Sequence, residues 1–319
     1  ENKISDNQSF DDSINKNIYF VILDAMIPLK MANDYDIFTE KELSSLRQEF
    51  KRLGLKTIEN SFSGYGSTQY SLASLMRLEY PYTRNLRDGL WPSMMYQRQL
   101  KITVPELSKK RKNGFVWLGN HGAPCIERPG QPWECIHNNT IQNVMRISST
   151  IYTNSIIELI INRLIWTRSR QSLVQNYDTS VEGGQRQLKH FIKNFDIDNQ
   201  NRKNFHFIHQ LSPHSPYSVN SECEESVKYI GESPEFYEGY KDSYKCVISE
   251  VLDFTDYISA KDPDSIIIFI GDHGNLLNYD IKPTSNRKVI PKLDDKGNVL
   301  NIFNMIKAPE KCFNSFGEP

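Results

Sequence analysis

Residues 265–274 read Ser-Ile-Ile-Ile-Phe-Ile-Gly-Asp-His-Gly, and this stretch restricts the fold more than any other in the chain. An apolar, β-branched run too short to cross a bilayer reads as a fully buried strand of an α/β sheet. It stops abruptly at Asp272-His273, followed by Gly274. Open α/β sheets place ligands at the carboxyl ends of their strands. A carboxylate beside an imidazole there can hold a divalent metal, Zn²⁺ above all. The same residues also suit a plain turn, with Gly274 supplying a positive φ. The choice depends on whether the rest of the chain supplies matching parts.

It supplies several. Asn17-Ile-Tyr-Phe-Val-Ile-Leu-Asp24 is a second buried strand ending in an aspartate, which could equally cap the turn that follows. Residues 39–53 form a helix opened by a Thr cap, with Leu43, Leu46, Phe50 and Leu53 at helical spacing. Gly54 stops it, and residues 55–59 suggest another strand. Residues 60–76 begin as a Gly/Ser turn and continue as a helix, placing Ser67 or Thr68 at its N-terminus. Such a hydroxyl is either an ordinary cap or a nucleophile activated by the positive helix end and a neighbouring metal.

Residues 104–112 read as a short helix, and Gly114-Phe-Val-Trp-Leu-Gly119 as a strand followed by Asn120-His121. Residues 140–166 follow an interrupted amphipathic helical pattern, and residues 180–194 read as a long surface helix. The strand Asn204-Phe-His-Phe-Ile-His209 puts His206 and His209 on opposite faces, and His214 follows between Pro213 and Pro216. Residues 236–260 form a long helix burying Tyr240, Tyr244, Val247, Ile248 and Val251. Residues 1–16 read as a flexible polar lead-in, and 17–319 as long enough for one large α/β domain, with two domains also possible.

Composition excludes some functions. The 319 residues carry 38 basic and 39 acidic side chains, a net charge of −1, so no general affinity for nucleic acid is expected. No apolar run reaches the roughly 20 residues of a membrane span. The polar opening carries no signal-peptide pattern and reads as a mature form or a soluble portion, with an anchor upstream left open. The five cysteines form no C-x-x-C pair, which disfavours a cysteine zinc site. Cys125 and Cys135 flank a Pro- and Gly-rich loop, a place for a disulfide and hence for an oxidising compartment. The odd count leaves at least one thiol without an internal partner.

Strands alternating with helices imply a layered α/β domain whose strand ends converge on one edge. Two aspartates and a histidine with an activated hydroxyl suit one divalent metal, which would act as Lewis acid on a phosphoryl or sulfuryl oxygen.

The order Asp24, Thr68, His214, Asp272-His273 resembles the sulfatase-like branch of the alkaline phosphatase superfamily. Locally it is most similar to the phosphoethanolamine transferases of lipid A and envelope glycans, relatives of the lipoteichoic acid synthases. Thr68-Gln-Tyr-Ser71-Leu-Ala matches their T-x-x-S-[LV]-[PA] nucleophile context. His209-Gln-Leu-Ser-Pro-His214-Ser-Pro216 resembles their H-x-x-G-S-H-G-P segment, and Trp117-Leu-Gly-Asn120 with the Cys125/Cys135 loop resembles their W-x-x-N segment. Asp24 stands where they commonly use Glu, and residues 275–290 lack their further histidine. No C-x-P-x-R or S-x-P-x-R motif surrounds Thr68, which disfavours a formylglycine sulfatase.

The resemblance implies a three-layer sandwich, with a central, mostly parallel sheet flanked by helices. It implies that residues 17–319 are a single sulfatase-like catalytic domain, a metal-dependent phosphotransferase with Thr68 as nucleophile and His214 as the second catalytic residue. Asp24, Thr68, Asp272 and His273 would hold one divalent metal, Zn²⁺ first, with Mn²⁺ or Mg²⁺ as alternatives. His209, His214, Asn120 and His121 would contact substrate. The head group would pass from a phospholipid donor to an envelope glycan or lipid acceptor through a phospho-threonine, in the periplasm or another extracytoplasmic space, by a monomer. Two alternatives keep the fold: a hydrolase using water as acceptor, and an inactive glycan- or protein-binding relative.

Overall fold

The computed structural model describes residues 16–78, 103–119, 125, 132–136, 185–197, 203–229, 234–275 and 299–309. Their strands are β1 (Ile18–Leu23), β2 (Lys56–Thr57), β3 (Gly114–Leu118), β4 (Glu134–Ile136), β5 (Asn204–Gln210), β6 (Tyr217–Val219), β7 (Glu225–Tyr229), β8 (Ile266–Gly271) and β9 (Asn304–Lys307). The helices are α1 (Leu29–Asp34), α2 (Glu40–Arg52), α3 (Thr68–Arg77), α4 (Thr103–Lys110), α5 (Gln187–Asn194) and α6 (Pro234–Lys261). Seven strands make one sheet in the order β2-β9-β8-β1-β5-β3-β4, and β6-β7 form a separate hairpin. β8, β1, β5, β3 and β4 run parallel, whereas β9 and β2 are antiparallel additions at one edge.

Side chains alternate across the central strands, and each set meets its own helical layer. Tyr19, Val21 and Leu23 of β1 share a face with Ile208, Ile267 and Phe269, packed against residues of α1, α2, α5 and α6. Ile22 and Phe20 share the other face with Phe115, Trp117 and Phe207, under Leu72, Ala73 and Met76 of α3. This is the three-layer sandwich. The apolar stripe of α6 steps through Tyr240, Tyr244, Val247, Val251, Phe254 and Ile258, all fully buried. The i, i+3/i+4 spacing keeps one face on the sheet, each aliphatic side chain contributing about 2 kcal/mol.

Most boundaries follow local chemistry. Thr39 caps α2 in a capping box with Glu42. The expected strand at 55–59 shrinks to Lys56–Thr57, a short edge strand with both residues exposed. β8 is less evenly buried than its apolar run suggests: Ile267 and Phe269 are buried, while Ile266, Ile268 and Ile270 are half-buried.

The surface helix expected over 180–194 is corrected. Within the described residues 185–194, α5 covers Gln187–Asn194; Gln185 and Arg186 just ahead of it, and its first residue Gln187, are buried, while 180–184 lie outside the described residues. Arg186 meets the buried Glu250 carboxylate, which draws this polar stretch inward. The helix expected over 140–166 lies outside the described residues. Cys125 and Cys135 are disulfide-bonded, and so are Cys223 and Cys246, which tie the hairpin region to α6.

Candidate active site

Register assembles the site. Leu23 at the end of β1 pairs with Gln210 of β5 on one side and Gly271 of β8 on the other. The next residues therefore leave the sheet level with one another, and the Asp24 N–H donates to the Gln210 carbonyl at 3.0 Å. Asp24 and Asp272 are 2% and 4% exposed. Asp272 Oδ1 accepts the Ala25 N–H at 3.1 Å and the His273 N–H at 2.8 Å. Ala25 takes a left-handed φ of 59° to make this turn. Tyr240 donates to the Ala25 carbonyl at 3.0 Å and Tyr244 to the Ile27 carbonyl at 3.0 Å, so α6 pins the turn from behind.

Thr68 is the first residue of α3, behind an extended Ser67 that makes no side-chain cap. Its hydroxyl does not cap the helix. It lies 3.3 Å from each Asp24 carboxylate oxygen and 3.2 Å from His273 Nε2. The loop ahead of it is held by Ser71, whose hydroxyl donates to the Tyr65 carbonyl at 3.1 Å and contacts Ser63 Oγ at 3.0 Å. A hydroxyl at the positive end of a ten-residue helix, against a carboxylate and an imidazole, is placed for nucleophilic attack on an anion.

The donor set suits a cation. His273 Nδ1 sits 2.6 Å from the Gly274 carbonyl, which only accepts, so Nδ1 carries the proton. In the neutral ring Nε2 then presents a lone pair, 3.5 Å from Asp24 Oδ1 and 3.6 Å from Asp272 Oδ2. Asp272 Oδ2 is buried and accepts no hydrogen bond. Burial pushes the Asp24 carboxyl well above its usual range and the neighbouring Asp272 pushes it further, while His273 and Thr68 pull it partly back. Buried carboxylates this close are costly unless a positive charge sits between them.

His209 is fully buried, its Nε2 3.5 Å from Asp24 Oδ2. Ligand atoms of Asp24, His209 and Asp272 lie within 4.8 Å of one another. The expectation that His209 contacts substrate does not fit a ring with no exposed surface. His214 is half-buried, its ring 6.3 Å from that of His273 and its Nδ1 2.6 Å from the Ser215 carbonyl. Asn120 and His121 lie outside the described residues. His206 stands apart from the site, stacked on Tyr19 at 4.6 Å in the core.

The Sulfatase family model matches residues 16–299. Among solved structures, the chain is similar to the C-terminal periplasmic domain of EcEptC from Escherichia coli in complex with Zn, at 16% identity and TM-score 0.54, over 96% of this chain and 76% of that one. It is similar to an alkaline phosphatase superfamily protein from Vibrio parahaemolyticus at 12% identity and TM-score 0.51, over 93% and 60% of the two chains. A Bacteroides thetaiotaomicron protein described with the metabolism of multiple glycosaminoglycans matches at 11% identity and TM-score 0.50, over 93% and 68%. At these identities the likeness shows a shared fold. No curated protein sequence matches the chain.

Proposed function

The chain belongs to the sulfatase family, and from that premise we propose that it is a metal-dependent phosphotransferase of the cell envelope. It moves a phospho-head group, such as phosphoethanolamine or glycerol phosphate, from a phospholipid donor to an envelope glycan or lipid. The observation that carries this reading is the Thr68 hydroxyl at the N-terminus of α3, within 3.3 Å of both Asp24 and His273. Asp24, Asp272, His273 and the Thr68 oxygen would hold a divalent cation, Zn²⁺ first, with His209 behind Asp24. Bound there, the cation supplies Lewis acidity that lowers the pKa of the hydroxyl and neutralises charge on the phosphoryl group.

Thr68 Oγ1 gives up its proton towards the Asp24 carboxylate it already donates to and attacks the donor phosphorus in line; the phosphorus–oxygen bond to the lipid breaks, and a phospho-threonine carries the head group. The helix N-terminus faces the incoming anion. Half-buried His214 protonates the leaving oxygen and then takes a proton from the acceptor hydroxyl, whose oxygen bonds phosphorus as the phosphorus–Oγ1 bond breaks and Thr68 regains its proton. Residues 275–290 contain no histidine that could share this task. Formylglycine chemistry has no starting point here, because a threonine side chain oxidises to a ketone rather than an aldehyde. Two disulfides among the described residues favour an oxidising, extracytoplasmic compartment. Among the described residues no helix is long and apolar enough to cross a membrane.

Product analysis tests this. Zn²⁺-loaded protein is incubated with phosphatidylethanolamine vesicles, with and without an envelope glycan. Head group on the glycan, absent with Thr68→Ala, supports transfer. Free phosphoethanolamine in equal amount with and without glycan makes the protein a hydrolase, and no turnover together with no bound metal makes it a binding protein.

A further inference from the structure

Behind the turn that carries His214 lies a residue the chemistry above leaves unused. Gln185 is 2% exposed. Its main-chain carbonyl accepts the Ser212 N–H at 3.3 Å. Its side-chain amide donates to the Pro216 carbonyl, and its Oε1 accepts the Ser218 hydroxyl at 2.6 Å. Ser212 precedes His214, and Pro216 and Ser218 follow it. One buried residue therefore bonds the chain on both sides of the histidine, closing a turn whose own contacts are local: the His214 N–H to the Leu211 carbonyl at 2.8 Å, and Nδ1 to the Ser215 carbonyl.

Gln185 is anchored in turn by the residue after it. Arg186 Nε bonds the Glu250 carboxylate, and Nη1 donates to the Cys223 carbonyl at 2.8 Å. The second Glu250 oxygen accepts Gln210 Nε2 at 2.7 Å, and the Gln210 carbonyl holds the Asp24 N–H. A continuous buried polar chain thus runs from α6 to both Asp24 and the His214 turn. The Arg186–Glu250 pair by itself adds little stability, because a buried ion pair repays little beyond its desolvation cost. What a satisfied polar network adds is one defined arrangement.

We propose that Gln185 is the positioning residue of His214, setting where the imidazole stands relative to Thr68 and His273. This rests on the reading of the site as a phosphoryl-transfer centre, where small displacements of a proton-transferring group cost rate. Gln185→Leu keeps the volume and removes the side-chain bonds. With ¹⁵N-histidine-labelled protein, the His214 ring resonances (assigned by their loss in His214→Ala) should broaden or shift in Gln185→Leu, while those of His206 and His209 stay in place. With bis(p-nitrophenyl) phosphate, kcat should fall about tenfold at unchanged zinc content, and should fall no further when Gln185→Leu is added to His214→Ala. Ser218→Ala, which removes one of these bonds, should move the same signals less and carries the test if Gln185→Leu does not fold. Unmoved His214 resonances, or a rate loss that adds in full to that of His214→Ala, would overturn the proposal. A wild-type protein that turns over no phosphodiester contradicts the transfer reading, and the resonance comparison then decides the role of Gln185 by itself.

Discussion

The Thr68 hydroxyl lies 3.2 Å from His273 Nε2, two side chains separated by 205 positions in sequence, one opening α3 and the other following the C-terminal end of β8. Because Thr68 opens α3 without capping it, the hydroxyl contributes chemistry more than helix stability. Thr68→Val, isosteric but without the oxygen, should lower turnover at least about 10³-fold and change the unfolding free energy by under about 1 kcal/mol. Thr68→Ser should stay within about tenfold of wild type. Steady-state kinetics with parallel urea melts check both.

The Asp24 carboxyl is raised above its ordinary 3.8 by burial and by Asp272. A raised carboxyl favours the fold fully below its unfolded pKa, and that contribution is lost as pH rises through the folded value. Zn²⁺ should offset the loss, so its gain in melting temperature should be larger at pH 8 than at pH 5.5, and EDTA should abolish it. Asp24→Asn should stabilise the metal-free protein by about 2 kcal/mol at pH 8 while removing any response to Zn²⁺. An equal Zn²⁺ gain at both pH values would contradict this placement of the metal.

Gly271 immediately precedes Asp272, and a Cβ there would come within 2.7 Å of the Met26 carbonyl oxygen and 3.2 Å of Ile302 Cβ. That carbonyl is itself bonded to the Phe303 N–H at 2.9 Å, so it has little room to yield. Gly271→Ala should therefore destabilise by about 2 kcal/mol and weaken Zn²⁺ binding by shifting Asp272 and the turn after β1. Denaturation and Zn²⁺ titration of the variant measure the two effects.

His206 is buried between Tyr19 and Phe191, and burial alone lowers its pKa from 6.5 to about 3. Neither ring nitrogen has a hydrogen-bond partner. A depressed histidine gives its full stability above the unfolded value and loses it as pH falls towards the folded one. The loss between pH 7.5 and 5 should be about 2 kcal/mol. His206→Phe keeps the ring stack and should remove that component, so the stability difference between variant and wild type should widen in favour of the variant as pH falls. Urea melts at the two pH values decide it.

The sequence reveals those parts of the site that follow apolar runs. β1 and β8 announce Asp24 and Asp272-His273 because a buried parallel strand needs a continuous hydrophobic stretch and its end is abrupt. Thr39 and Glu42 mark α2 by the same local logic. Gln185 and Arg186 were invisible in this sense. Their role comes from partners at Pro216, Ser218 and Glu250, far off in sequence, and a polar pair before a short helix reads as surface. The Cys223–Cys246 disulfide was hidden for a like reason, since only the fold of the β6–β7 hairpin onto α6 pairs those two. His209 illustrates the converse, where a strand-end histidine looks like a substrate contact until its complete burial behind Asp24 is seen.

The most direct measurement is the intact mass of Zn²⁺-loaded protein quenched during turnover of phosphatidylethanolamine, followed by peptide mapping. The account predicts a covalent phosphoethanolamine adduct on Thr68, absent in Thr68→Ala and after EDTA treatment. Turnover with Thr68 unmodified, and with Thr68→Ala fully active, would contradict it.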